Sequence, residues 1–371
     1  MKSKFNEALT FFKKGQLKEA KNLCLEILKG HPNNFDVLHI LGIINFREKN
    51  FTESKNLIEK AIKIKPNSFE IHNFFAFVLL NLKKFDLAIK SWDEVIKLNP
   101  NYAEAYNNRG NIFFMLENLD DALKSYKQAI KLKPDFADAY NNQGNVFRKL
   151  NKNNDAIESY QKATKFDQNH ADAYYNLGSI FRKQKKTTSA IKNYEKAIEL
   201  KPDYVDSYVG LGNSYLELKN NSLALESYEK AIKLKPDYNF LLGTIVHTKL
   251  KLCLWDNLDR DLKDVEEKVS NLKKISPPFQ LLTFNNSIKL QKISAEMWAK
   301  QEISSYKNIL EPIFNKQINK KIKIGYYSAD FHDHATSNLM VNLFELHDRS
   351  KFEIVGFYFG PESKHEMYIR V

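Results

Sequence analysis

The chain has 371 residues, of which 43% are hydrophobic and 27% charged, a composition typical of folded proteins and unlike that of disordered chains. Lysine and arginine number 57 against 45 acidic residues, but no arginine-rich run concentrates this excess, so nucleic acid is not expected as a partner. Cys24 and Cys253 form no CxxC pair, which argues against a metal site, and the lack of an apolar leader or membrane-length apolar run predicts a cytoplasmic protein without a membrane partner.

The first two thirds of the chain repeat with a 34-residue period. Prolines fall on this period at Pro32, Pro66, Pro100, Pro134, Pro202 and Pro236, and glycines at Gly42, Gly110, Gly144, Gly178 and Gly212. Two residue types locked to one period predict a solenoid of identical structural units. The units are 1–34, 35–68, 69–102, 103–136, 137–170, 171–204 and 205–238, so residues 1–238 form the predicted array.

Each unit reads as two helices that pack closely on one another. In unit 103–136, Tyr106 and Gly110 share one face of a first helix, and Ala122 and Tyr126 share one face of a second. Gly110 and Ala122 are small so that the helices approach, and Tyr126 fills the neighbouring groove. This pattern resembles the tetratricopeptide repeat, which implies a right-handed superhelix whose first helices line a concave groove. The first three units depart most, with Lys4, Leu38 and His72 at the position of Tyr106.

Polar residues recur on the groove face of the predicted first helices. One row is Asn108, Asn142 and Asn176, a second is Asn111, Asn145 and Asn213, and Arg148 and Arg182 are spaced in the same way. Carboxamides donate and accept hydrogen bonds, so these asparagines can hold a peptide backbone without reading its side chains. The two arginines can contact peptide carboxylates. The alternative is that all of these residues belong to a solvated helix face or edge.

Beyond the array, the periodicity ends and two further regions follow. Residues 239–305 read as a helical connector, with helices over 241–254, 256–272 and 288–304 and a break at Ser276-Pro277-Pro278-Phe279. Residues 306–320 read as a basic linker.

Residues 321–371 change to an α/β pattern. Alternation over 322–326 and an apolar run over 352–359 predict two strands, and residues 339–346 predict the helix between them. The fold class is therefore mainly α, with an incomplete Rossmann-like lobe at the end. Open parallel sheets bind ligands at the carboxyl ends of their strands, here the loop 330–337, although no GxGxxG motif specifies a nucleotide.

This last region carries a second resemblance. The run Ile322-Lys323-Ile324-Gly325-Tyr326-Tyr327-Ser328-Ala329-Asp330-Phe331-His332-Asp333-His334 resembles the opening of the catalytic region of O-linked N-acetylglucosamine transferases, the bacterial and SPINDLY-like members of glycosyltransferase family 41. The blocks 338–340, 343–350 and 359–361 continue the likeness. The resemblance implies transfer of GlcNAc from UDP-GlcNAc, a donor substrate rather than a cofactor, to serine or threonine hydroxyls of polypeptides held in the groove.

The resemblance also assigns a candidate catalytic residue. The family's cleft histidine maps to His334, which can accept a hydroxyl proton near neutral pH, or can instead anchor its loop by a hydrogen bond. Ala335 stands where the family usually has proline. Because residues 321–371 are too few for the family's donor-binding lobe, we expect the chain to be a truncated or partial enzyme that is inactive alone. The alternative is a non-catalytic scaffold that binds proteins.

Overall fold

The computed structural model of the chain describes residues 2–303, 322–328, 348 and 352–358. The chain divides into two compact units, Met1–Gln301 and Glu302–Val371. In the part of the chain that the structure describes, all regular structure of the first unit is helical, and the predicted mainly α solenoid is confirmed.

Helix pairs follow the repeat units. They are α1 Lys2–Lys13 with α2 Leu17–Gly30, α3 Phe35–Arg47 with α4 Phe51–Ile64, α5 Phe69–Asn81 with α6 Phe85–Leu98, α7 Ala103–Met115 with α8 Leu119–Leu132, α9 Ala137–Lys149 with α10 Asn153–Phe166, α11 Ala171–Lys183 with α12 Thr187–Leu200, and α13 Val205–Glu217 with α14 Asn221–Leu234. Local signals set these bounds. At α8, the Asn118 side chain accepts the Asp121 N–H, acidic residues occupy the first turn, and Lys131 lies in the last. Pro134 follows and prevents the helix from continuing.

The turn inside each pair uses a left-handed residue. Lys49 has φ 63°, its N–H donates to the Phe46 oxygen at 3.0 Å, and the Asn50 N–H donates to the Asn45 oxygen at 2.8 Å. This pair of hydrogen bonds is a Schellman motif, which satisfies the backbone carbonyls at the helix end. The residues with positive φ at this position are Gly15, Lys49, Lys83, Glu117, Asn151, Lys185 and Lys219.

Close approach of the paired helices explains the periodic glycines. A Cβ on Gly110 would lie 2.7 Å from Cε1 of Tyr126, and one on Gly144 would lie 2.5 Å from Cε1 of Tyr160. Tyr126 and Tyr160 are fully buried against these glycines. Any side chain there would have to displace an aromatic ring, as the sequence predicts.

The connector caps the array with helices of a different spacing: α15 Leu241–Lys251, α16 Leu258–Ser270, α17 Pro278–Leu282 and α18 Ile288–Ile303. The segment before Pro278 lies against α15, since the Gly243 N–H donates to the Ile275 oxygen at 2.9 Å. A Cβ on Gly243 would lie 2.2 Å from Ser276 Oγ. The connector has its own hydrophobic core, an apolar cluster that includes Val246 and Val265.

In the second unit, two strands are described. They are β1 Ile322–Ser328 and β2 Phe352–Tyr358, which pair in parallel from Ile322 opposite Phe352 to Ser328 opposite Tyr358. Both strands agree with the sequence prediction. The predicted helix over 339–346 and the loop 330–337, including His334, lie outside the described residues.

Candidate peptide-binding groove

The first helices of successive units lie side by side. Helix α7 contacts α9, α9 contacts α11, and α11 contacts α13. Because neighbouring first helices are close together, the stack curves toward them and their shared face becomes concave. The predicted residues occupy this row of helices: Asn108 and Asn111 on α7, Asn142, Asn145 and Arg148 on α9, Asn176 and Arg182 on α11, and Asn213 on α13.

Three of these asparagines are bonded to buried tyrosines of the second helices. The hydroxyl donates to the asparagine Oδ1 in each pair: Tyr126 to Asn111 at 2.8 Å, Tyr160 to Asn145 at 2.9 Å, and Tyr228 to Asn213 at 2.7 Å. The oxygen of each carboxamide is thereby satisfied from the core. Within the described residues, no acceptor bonds the Nδ2 of these three side chains, so each retains its donors for another partner.

Burial further disfavours ionisation of the tyrosine hydroxyls. It raises the pKa of Tyr160 to about 12, and the nearby Arg148 guanidinium acts in the opposite direction. Burial also raises the pKa of Tyr126 and of Tyr228. Each hydroxyl here donates to a carboxamide oxygen, so in this arrangement the oxygen faces the tyrosine and the Nδ2 faces away from it.

The other row of asparagines links adjacent units. Asn142 Nδ2 donates to Oδ1 of Asn107 and of Asn111, both at 3.0 Å. Asn176 Nδ2 donates to Asn141 Oδ1 at 2.9 Å, and Asn176 is only 8% exposed. The structure therefore brings Asn142 and Asn176 into contacts between units, while Asn108 stays partly buried on α7.

Two further asparagines of these helices were not among the predicted residues. Asn107 and Asn141 accept the bonds from the next unit and are buried. The signal was present, because Asn73 precedes them on the same 34-residue period. Asn73 Oδ1 accepts the Trp92 Nε1–H at 3.1 Å, so this row also joins core and groove.

The two predicted arginines line one cavity. Its volume is about 440 Å³, and it is lined by Arg148, Ser179, Arg182, Lys183, Lys185 and Glu217. Arg182 Nη1 donates to Glu217 Oε1 at 2.9 Å, whereas its buried Nε has no acceptor among the described residues. The arginines thus lie together at the carboxyl ends of consecutive first helices.

The described residues contain no group of histidine, cysteine, aspartate and glutamate side chains that could hold a metal ion. Among the described helices, none combines the length and apolarity needed to cross a bilayer.

Protein-family models match two parts of the chain. A model described as TPR repeat matches 78–117, 110–147, 144–184 and 178–219, and tetratricopeptide-repeat models match 35–68 and 205–238. A model described as glycosyl transferase family 41 matches 287–370 and so begins at α18. The chain is a tetratricopeptide-repeat protein whose C-terminal part is similar to family 41 glycosyltransferases. No curated protein matches it significantly.

Similar solved structures show the same fold. A tetratricopeptide repeat protein from Parabacteroides merdae is 17% identical with TM-score 0.54, covering 64% of this chain and 93% of that one. The C-terminal part of a TPR repeat-containing protein from Cytophaga hutchinsonii is 15% identical with TM-score 0.52, covering 63% and 96%. Cut9–Hcn1, an APC/C hetero-tetramer, is 16% identical with TM-score 0.51, covering 78% and 54%.

Proposed function

We propose that this chain is the polypeptide-recruiting part of a protein O-GlcNAc transferase. The repeats hold the acceptor polypeptide, and the C-terminal region belongs to the machinery that transfers GlcNAc from UDP-GlcNAc to its serine or threonine hydroxyls. The observation that carries the proposal is the joining, in one chain, of a tetratricopeptide array and a family 41 match over 287–370.

The groove chemistry supports recruitment of extended polypeptide. The Nδ2 donors of Asn111, Asn145 and Asn213 recur along one face, and their orientation is fixed by tyrosine bonds. Backbone carbonyls of an extended peptide are acceptors at regular intervals, so a row of amide donors matches them whatever the peptide sequence. Such a groove suits an enzyme with many acceptor proteins.

His334 is the proposed base or cleft contact of the transfer step. As the acceptor hydroxyl oxygen forms its bond to the anomeric carbon, the bond from that carbon to the diphosphate breaks and UDP leaves. The hydroxyl proton passes to the imidazole, whose ordinary pKa near 6.5 suits this role. The support is the position of His334 in the resemblance. We place the reaction in the cytoplasm, consistent with the two free cysteines, Cys24 and Cys253.

Recruitment is tested with a substitution that removes a donor and keeps the acceptor. Asn111→Asp retains an oxygen for Tyr126 and loses the Nδ2 protons. We expect it to weaken binding of a fluorescein-labelled, serine- and threonine-rich 20-residue peptide by roughly tenfold in fluorescence anisotropy. The matched control is Asn193→Asp, whose amide bonds only the Ser189 carbonyl of its own helix, and should leave affinity unchanged.

Transfer is tested with the longest product of the reading frame that contains this chain. Radiolabelled GlcNAc should pass from UDP-GlcNAc to the same peptide, and Asn111→Asp should raise the KM for peptide with little change in kcat. Peptide binding without any transfer would overturn the assignment as an enzyme and favour the non-catalytic scaffold. The donors of the groove are sufficient for the binding function of such a scaffold. Transfer unaffected by Asn111→Asp would overturn the groove as the recruiting surface.

A further inference from the structure

The cavity at the carboxyl ends of α9 and α11 has a strongly unbalanced charge. Arg148, Arg182, Lys183 and Lys185 line it, against the single lining carboxylate of Glu217. Within the described residues, Lys183 bonds only the Asn151 amide oxygen, at 3.4 Å, and neither Arg148 nor Lys185 forms an ion pair. A cavity with this excess of cations attracts an anion.

The charge is confined to two consecutive units. Arg148 and Arg182 follow Asn145 and Ser179 by three residues, so each lies on the groove face one turn beyond an asparagine-row position. The equivalent residues of the flanking units are apolar: Phe114 in the unit before and Leu216 in the unit after. The cationic cavity therefore occurs at one point along the groove, and the equivalent positions of the flanking units are uncharged.

A carboxylate already bonds inside this cavity. Glu217 Oε1 accepts from Arg182 Nη1 at 2.9 Å, and Glu217 Oε2 accepts from Thr187 Oγ1 at 3.2 Å. Arg182 is therefore already occupied by this carboxylate, and its Nε is buried without an acceptor within the described residues. A planar guanidinium presents donors that match a carboxylate, and Arg148 offers such a group with no acidic partner.

We propose that this cavity is a specificity subsite that binds the side-chain carboxylate of an aspartate or glutamate in the polypeptide held by the groove. The inference rests on the proposed function and adds a substrate class to it. The acceptor polypeptide carries an acidic residue at a fixed position along the asparagine row, with Arg148 and Lys185 as its main partners. Glu217 competes for the same cations and sets how tightly the subsite binds.

The test uses positional-scanning libraries of unstructured 15-residue peptides, degenerate in alanine, serine, threonine and proline, with one aspartate, asparagine or phosphoserine at each position. With the full chain, we expect aspartate at one position to bind about fivefold more tightly than asparagine. Arg148→Gln should abolish this preference and leave the asparagine libraries unchanged. The matched control is Arg260→Gln on α16, an exposed arginine away from the repeats, which should change neither.

A second variant is expected to change the affinity for aspartate peptides in the opposite direction. Glu217→Gln removes the competing carboxylate and should strengthen aspartate binding by about twofold to fivefold, without affecting asparagine. A loss of folding cannot produce a gain in affinity, so this arm remains decisive if Arg148→Gln is destabilised.

The outcomes separate the subsite from recruitment itself. Peptides that bind with equal affinity for aspartate and asparagine would overturn the subsite and leave recruitment standing. Binding of no library would overturn both. A preference for phosphoserine over aspartate would overturn the assignment to carboxylates and identify a phosphate site.

Discussion

The first three repeats and the last four fill the same core position with different chemistry. The second-helix residue that packs on the small residue of the first helix is Cys24, Ile58 and Trp92 in the N-terminal units, and Tyr126, Tyr160, Tyr194 and Tyr228 in the others. All are buried. Only the tyrosines carry a hydroxyl, and Tyr126, Tyr160 and Tyr228 use it to bond a groove asparagine.

The difference shows how a core residue can shape the concave face of the array. In the last four units the aromatic ring stabilises the helix pair. In three of them the hydroxyl also fixes a carboxamide of the first helix, whereas the unit of Tyr194 has Ser179 at that position. Trp92 is intermediate, because its Nε1–H bonds Asn73. The carboxamides of the groove are therefore fixed from the core where Tyr126, Tyr160 and Tyr228 lie, whereas Cys24 and Ile58 contribute packing alone.

The largest expected effect on the free energy of unfolding comes from truncating the core residue in each of the two regions. Tyr160→Ala should lower the free energy of unfolding by about 3–5 kcal/mol, because it empties a fully buried ring. Cys24→Ala removes a single buried atom and should cost about 1 kcal/mol. Urea unfolding of the full chain, followed by helical circular dichroism, measures both. Equal costs would show that the two regions do not differ in core packing.

The next effect concerns the glycines that face these rings. Gly144→Ala places a methyl group 2.5 Å from Tyr160 and should cost about 1–3 kcal/mol through overpacking. The control is Gly30→Ala at the end of α2, where a Cβ meets nothing within 4 Å. It should stabilise by about 0.5–1 kcal/mol, since alanine favours the helix. Destabilisation by both changes would contradict the close-packing explanation.

Much of this architecture could be predicted from the sequence. The 34-residue period located every helix pair, and the face shared by Ala122 and Tyr126 identified the core because helical spacing fixes which residues lie together. The left-handed turn position was not predictable from glycine, because residues such as Lys49, Glu117 and Asn151 occupy it in all but the first unit.

The site was predictable only to the level of a face. Spacing placed Asn111 on the groove side but could not say that its oxygen is bonded by Tyr126, since that depends on the side chain of another helix. Nor could spacing show that Asn176 is buried against Asn141. His334 lies outside the described residues, so its role stays a prediction.

A smaller effect isolates the hydroxyl from the ring. Tyr160→Phe keeps the packing, removes the bond to Asn145, and should cost about 1 kcal/mol. The carboxamide then loses its fixed orientation, so affinity for the labelled peptide should fall as well. Tyr208→Phe is the control, because its hydroxyl makes no hydrogen bond within the described residues, and it should change stability by less than about 0.5 kcal/mol. An unchanged peptide affinity in Tyr160→Phe would show that the core hydroxyl does not influence peptide binding in the groove.

The smallest expected effect tests whether the two regions act independently. Cys24 is buried, which raises the pKa of its thiol to about 11, whereas Cys253 is exposed. With Cys253→Ala, labelling by a thiol-reactive disulfide at pH 8 therefore reports local opening of the first unit. In a repeat array each unit contacts only its neighbours, so Gly144→Ala should change this rate by less than about twofold.

The same assay needs a positive control, a variant in the first unit that is expected to change the labelling rate of Cys24. Ile27→Ala removes a buried side chain beside Cys24 in the first unit and should accelerate labelling by more than about tenfold. Acceleration of similar size by Gly144→Ala would mean that the tyrosine units and the N-terminal units open together, and the contrast between them would then lie in chemistry alone and not in stability. If only Ile27→Ala accelerates labelling, the N-terminal packing is set locally, and the groove can be altered without disturbing it.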